Sequence, residues 1–358
     1  MSLGLRTALR SWSHRFVRRA WQRRGLLATL LYPLHLVHRA WRGLRALGWR
    51  LGFARPVKLP VPVVVIGNLR IGGTGKTPLV IEIVRALRSR GWSPGIVSRG
   101  YGGSSQQPTL VNPASDASQC GDEPLLIRQL TGCPVAVGHD RVGAARLLLS
   151  LHASCNVLIS DDGLQHHRLG RDLEIVLLDQ EGIGNGWLLP AGPLRDPPER
   201  LRRVDAVVLH GLVPPVRIYS PFYRMQTNIQ DATSIAAPVR RMALSEMARE
   251  QSAGRLRVLA LCAIGNPERF FAQLSEQGLR FDVLALPDHE RITAGMIAPG
   301  RYERVLITEK DAVKCQSDAR LGHDERIWVV PLRTTLEASL IDFIAARLGK
   351  NTHGSKAA

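Results

Sequence analysis

The chain of 358 residues carries no carboxylate before Glu82, has five cysteines, and contains no apolar run of the ~20 residues that a membrane-crossing helix needs. Each shortage excludes something. The cysteines (Cys120, Cys133, Cys155, Cys262 and Cys315) are odd in number and show no C-x-x-C spacing, which argues against a disulfide framework and fits a reducing compartment. The adjacent His166 and His167 have no further Cys or His at ligand spacing, so no zinc site is expected. Internal repeats and low-complexity tracts are also missing. With 45% apolar residues the chain is nevertheless far from the composition of a disordered protein.

What is present begins with charge. The net charge is +18, and thirteen Lys/Arg fall within the first 58 residues, leaving the remainder only mildly basic. Four of the seven tryptophans (Trp12, Trp21, Trp41, Trp49) share this leader with the apolar run from Leu26 to Val37. Leu27, Leu30, Leu34, Val37, Trp41 and Leu44 recur at three- and four-residue steps, which predicts a helix with an apolar stripe, kinked at Pro33 and interrupted by Arg45. Residues 1–58 therefore read as a basic amphipathic leader lying on an anionic membrane surface, each engaged basic residue contributing ~1 kcal/mol. Arg39 and Arg42 follow the run and no small-x-small site is evident, so a cleaved signal is not expected. The clustered leucines and mild charge elsewhere disfavour a nucleic-acid partner.

After the leader, helix and strand patterns alternate. The reading is an α/β fold: a P-loop NTPase-like, doubly wound, mostly parallel sheet over residues 59–212. A linker with short strands at 213–254, a second, smaller α/β domain at 255–350 and a frayed tail at 351–358 follow. Ligands in such sheets bind at the carboxyl ends of the strands.

The β-branched run Val63-Val-Val-Ile66 leads into Gly67-Asn-Leu-Arg-Ile-Gly-Gly-Thr-Gly-Lys-Thr77, a buried strand, a glycine-rich turn and a helix start. Gly72, Gly73, Thr74 and Gly75 let backbone N–H groups converge on phosphate oxygens, Lys76 would reach the β/γ-phosphates of ATP, and Thr77 would hold Mg²⁺. Arg70 stands where the strict pattern has its first glycine.

A second strand, Asn156 to Ser160, ends in Asp161-Asp162-Gly163. Asp161 is the metal candidate and Asp162 a second site carboxylate, although a turn or helix cap would use the same residues. Asp122 before a helix could be a cap or a carboxylate at the sheet's active edge, and His289 in Pro287-Asp-His is weak taken alone. Lys310 and Asp311, just past a strand, would either close over the cleft or be ordinary surface charges, and the surface reading is favoured.

Together the segments Gly72–Pro78, Ser98-Arg-Gly-Tyr-Gly102, Gly121-Asp-Glu-Pro124, Ser160–His166, Leu189-Pro-Ala-Gly-Pro-Leu-Arg195, Pro287-Asp-His289 and Thr308–Lys314 resemble the tetraacyldisaccharide 4′-kinase family, the lipid A 4′-kinases of Gram-negative bacteria. The chain departs from the family's pattern at Glu290 and Leu164. The resemblance implies transfer of the ATP γ-phosphoryl to the 4′-hydroxyl of a lipid A precursor, tetraacyldisaccharide 1-phosphate, at the cytoplasmic face of the inner membrane. It makes Asp122 the base and His289 its partner, with Gln165 and Arg195 as further site residues. A rival, the partition-type membrane ATPase, would carry a lysine where this chain has Ile71.

Overall fold

The computed structural model describes residues 21–53, 55–254, 256–297, 300–316 and 318–354. Trp12, the basic residues before position 21 and the last four residues of the tail expected to fray lie outside these.

Two sheets organise the chain. The first has nine strands: β1 (Val63–Gly67), β2 (Pro94–Ser98), β3 (Thr109–Val111), β4 (Val135–Val137), β5 (Val157–Asp161), β6 (Leu173–Leu178), β7 (Ala206–His210), β8 (Phe222–Asn228) and β15 (Arg333–Leu336). Their order is β15-β8-β7-β6-β1-β5-β2-β4-β3, parallel except for the edge strands β15 and β3. β1 is apolar without alternation because helices cover both of its faces, and all five of its residues are buried. It lies between β5 and β6, with Ile66 opposite Asp161. That register brings the turn after β1 and the acids ending β5 to one edge.

The second sheet has six strands: β9 (Asp231–Ser234), β10 (Arg241–Ala243), β11 (Val258–Cys262), β12 (Asp282–Ala285), β13 (Arg304–Thr308) and β14 (Ile327–Val330), in the order β10-β9-β14-β13-β11-β12. Phe270 and Leu274 of the helix Pro267–Glu276 pack with Trp328 in its core.

The stretch 213–254, expected as a linker with short strands, holds three strands, β8 to β10, and the helix Leu244–Ser252, and its first two strands serve different sheets. β8 buries Tyr223 and Met225 and exposes Phe222 and Arg224, an alternation that edge position and a polar outer face conceal in hydropathy. β8 pairs with β15 in the first sheet while β9 pairs with β14 in the second, so the chain crosses between the sheets twice, at residues 229–230 and 331–332. The helix Ala338–Gly354 then returns to the first core, where Leu340, Ile341, Ile344 and Leu348 are buried beside Val64 and Ile83.

In the leader, Pro33 does not kink a helix. A short helix, Leu26–Leu30, ends first, and Pro33 sits in the opening turn of a second one, Tyr32–Arg50, where a missing N–H costs nothing.

Candidate active site

The turn after β1 is braced from below. Thr74 is buried and its hydroxyl accepts from Asn68 Nδ2 at 3.0 Å, while its carbonyl lies 2.9 Å from His210 Nδ1 at the end of β7. Gly75 has φ +95°, and a Cβ there would lie 2.7 Å from the His210 ring, so both conformation and space require glycine. Lys76 begins the helix Lys76–Ser89, whose Leu79, Val80, Ile83, Val84 and Leu87 anchor it to the sheet. A fixed helix start presents its first-turn N–H groups to whatever fills the cavity above. That cavity holds about 560 Å³ and is lined by Gly72, Gly73, Lys76, Thr77, Asp161 and Arg195 among others.

Across this opening stand Asp161 and Asp162, neighbours whose acidities are pushed in opposite directions. Asp161 is 1% exposed, accepts from Ser98 Oγ at 3.1 Å through Oδ2, and leaves Oδ1 buried without a partner. Burial, reinforced by Glu123 and Asp162, pushes its carboxyl up to about 6. Asp162 adopts a left-handed φ of 48° that turns its side chain to Lys76 Nζ, 3.7 Å away, and to a two-pronged contact with Arg195 at 2.9 and 3.1 Å. Burial also pushes Asp162 up, but Lys76 and Arg195 outweigh it and hold the carboxyl down at about 2. Arg195 bonds Asn68 Oδ1 at 2.5 Å, and Gln165 bonds the Asn68 carbonyl at 3.3 Å, so both support the turn from β5's side.

The third group comes from both sheets. Asp122 is the first residue of the helix Asp122–Thr131, 4% exposed, and both its oxygens lie 3.0 Å from His289 Nδ1, 167 residues away. His289 has φ 66°; among the described residues it and Asp162 are the non-glycine residues with positive φ. Such conformations persist where surrounding contacts enforce them, often at functional sites. Burial alone would push the Asp122 carboxyl up and His289 down. Their mutual hydrogen bond, with Lys310 assisting Asp122, reverses both, so Asp122 lies below its ordinary value and His289 above 6.5.

Lys310 corrects the sequence reading. Expected on the surface, its ammonium is enclosed by Glu123 at 3.0 Å, Asp288 at 3.1 Å and Asp122 at 3.8 Å. Burial alone would lower its pKa, but these carboxylates raise it above the ordinary lysine value. Asp311, read the same way, is fully buried and accepts from the Ala263 N–H at 3.2 Å. The usable signal was position: both follow β13 at its carboxyl end, where ligands gather. Lys310→Met is expected to raise the His289 pKa further, because the cation that opposes protonation of His289 is gone; an unmoved imidazole titration by NMR contradicts this.

Arg269, from the second sheet's helix, reaches His210 Nε2 at 2.6 Å and Thr227 Oγ1 at 2.6 Å, joining the two units beneath the turn. Sequence reasoning gave no role to Arg269, to His210, or to Asn68, which lies within the glycine-rich segment but whose side chain no local pattern marks.

The chain is similar to proteins of one family along most of its length. The sequence model of the family described as tetraacyldisaccharide-1-P 4′-kinase matches residues 27–349. A tetraacyldisaccharide 4′-kinase of Herminiimonas arsenicoxydans is 46% identical over 347 residues, covering 95% of this chain and 97% of the relative. One from Janthinobacterium sp. (strain Marseille) is 45% identical over 339 residues, with the same shares covered. The crystal structure of an "apo" form of LpxK from Aquifex aeolicus in complex with ATP superposes with a TM-score of 0.76 at 28% identity, covering 90% of this chain and 100% of that one.

Proposed function

The chain belongs to the tetraacyldisaccharide 4′-kinase family, and we propose that it moves the γ-phosphoryl of ATP to the 4′-hydroxyl of a tetraacyldisaccharide 1-phosphate across the space between Lys76 and the Asp122–His289 pair. The observation that carries the assignment of residues is that pair: two groups from separate sheets meeting at 3.0 Å beside the glycine-rich turn.

In this reading the amides of Gly73 and Gly75, with Lys76, draw charge from the β/γ oxygens as the bond to the leaving oxygen lengthens. Asp162 holds Lys76 and Arg195 in place and keeps both side chains extended toward the phosphates. The unpartnered, buried Oδ1 of Asp161 fits a divalent cation, and with the half-buried Thr77 hydroxyl it would hold Mg²⁺. Bound Mg²⁺ supplies neutralisation of the β- and γ-phosphate charge. Asp122 takes the 4′-hydroxyl proton, and His289 shares the charge through Nδ1. Lys310 and Glu123 fix the orientation of Asp122. Mixed micelles containing the acceptor and γ-labelled ATP test the proposal: labelled lipid is expected, whereas free phosphate without labelled lipid would favour an ATPase.

The leader gives the site access to its acceptor. An acceptor with four acyl chains leaves the bilayer at a cost of ~0.8 kcal/mol per exposed CH₂, so the kinase must work at the surface. The helix Tyr32–Arg50 turns its polar side inward: His35 accepts from the Leu188 N–H at 2.8 Å, and His38 Nδ1 lies 2.9 Å from the Leu189 carbonyl. Leu34, Val37, Trp41, Leu44 and Leu47 face outward, each about half exposed or more. A helix that packs by its polar side has its apolar side free for lipid. No helix among the described residues is long and apolar enough to cross a membrane, and the outward apolar side of this helix fits interfacial embedding where the family's acceptor lies, at the cytoplasmic face of the inner membrane. Converting Leu34, Val37 and Leu44 to Gln is expected to lower flotation with anionic vesicles at least tenfold, since each buried side chain is worth ~1.5–3 kcal/mol. Undiminished flotation would contradict this role.

A further inference from the structure

The leader's inward face reaches farther into the molecule than docking requires. Arg42 is ion-paired with Asp196, a residue only 2% exposed. The other oxygen of Asp196 accepts from Gln165 Nε2 at 2.5 Å. Gln165 bonds the Asn68 carbonyl at the base of the glycine-rich turn, and Asn68 in turn holds the Thr74 hydroxyl and the Arg195 guanidinium. Arg195 grips Asp162, which faces Lys76. From a side chain on the exposed helix to the phosphate-binding lysine there is no break in polar contacts.

We propose that Arg42 is a positioning residue for phosphoryl transfer, so that the leader completes the nucleotide site as well as holding the enzyme at lipid. The inference rests on the kinase reading above. Three features support it. Arg42 comes from the helix's inward face, with His35 and His38, and its side chain is mostly shielded beside Asp196. The partner carboxylate is buried, and a buried carboxylate deprived of its cation does not stay where it was: it draws other donors to itself. The donors within the relay are Gln165 and, one residue away in the chain, Arg195, whose two contacts fix Asp162. By contrast, Arg39, on the same helix, pairs with Glu199 where both side chains are about half exposed, the kind of contact that contributes little.

The expected result is a split between binding and turnover. In full-length Arg42→Gln, flotation with phosphatidylglycerol vesicles and the KM for acceptor in mixed micelles should stay within about twofold of the unaltered chain. The kcat should fall roughly ten- to a hundredfold, the scale of a small misplacement transmitted from a distance. Arg42→Lys, which keeps the charge but not the fork, should recover part of the loss. Asp196→Asn combined with Arg42→Gln should lose no more than the worse single variant, since both act through one contact. If Arg42→Gln fails to fold, Arg42→Lys carries the test, since it keeps Asp196 paired but loses the fork and should still lower kcat with flotation and acceptor KM unchanged. An unchanged kcat in Arg42→Gln, losses confined to flotation or acceptor KM, or multiplicative losses in the double variant would each overturn the proposal. Failure of the kinase reading itself is separate, because it appears as absence of lipid labelling by the unaltered chain.

Discussion

Lys76→Ala is expected to lower kcat for lipid phosphorylation by on the order of 10³-fold while leaving the fold intact. The size follows from where the ammonium sits. It is 12% exposed, at the start of a helix already pointing its N–H groups at the same space, so its charge acts with little screening. Charge on the transferred phosphoryl oxygens and on the leaving oxygen changes most in the transition state, and groups placed against it act on kcat more than on KM. Arg195 still neutralises Asp162 through two contacts after Lys76 is gone, which is why stability should survive. Lys76→Arg should recover little, since a planar fork cannot replace a point charge in a space bounded by Asp162 and the turn. Single-turnover transfer of labelled phosphate, with the thermal midpoint measured alongside, checks both parts. A loss below tenfold would remove Lys76 from the mechanism.

Asp122→Asn is expected to cost roughly 10²-fold, within the range for a positioned general base. The loss is smaller than that for Lys76 because a loose transition state releases the hydroxyl proton late. The pH dependence is more diagnostic than the magnitude. In the proposed mechanism the pair takes up a proton only while the His289 imidazole is neutral, and the hydrogen bond to Asp122 raises the His289 pKa above 6.5. Activity should therefore fall as pH drops through a value above 6.5. In Asp122→Asn the imidazole loses its acceptor, burial and Lys310 act unopposed by that bond, and the acid limb of the residual activity should move to lower pH. A limb that stays in place would mean that a different group titrates.

The first half of this arrangement was legible because it is local. An apolar β-branched run ending in glycines, and another ending in two aspartates, each state in a few residues both a buried strand and a polar tip. The register that sets Ile66 beside Asp161 then follows from parallel pairing of two such strands. What escaped the sequence depends on distance along the chain. Lys310 looks like any lysine on a short helix until Glu123 and Asp288 arrive from elsewhere. β15, Arg333-Thr-Thr-Leu336, has too little apolar character to be read as a strand, and exists because β8 offers it an edge. The leader's stripe was readable, but the inward direction of its histidines and Arg42 was not, since amphipathic spacing says which faces differ and not which one meets protein.

The double crossing between the sheets has a consequence for biosynthesis. Because β15 and the helix Ala338–Gly354 complete the first sheet's core, residues 229–332 are an excursion between two parts of one folding unit. The larger half must wait for Leu340, Ile344 and Leu348 to leave the ribosome before its interior can close, while the smaller half can finish earlier. The nascent chain would thus carry the helix proposed to meet the membrane long before it carries a complete nucleotide site.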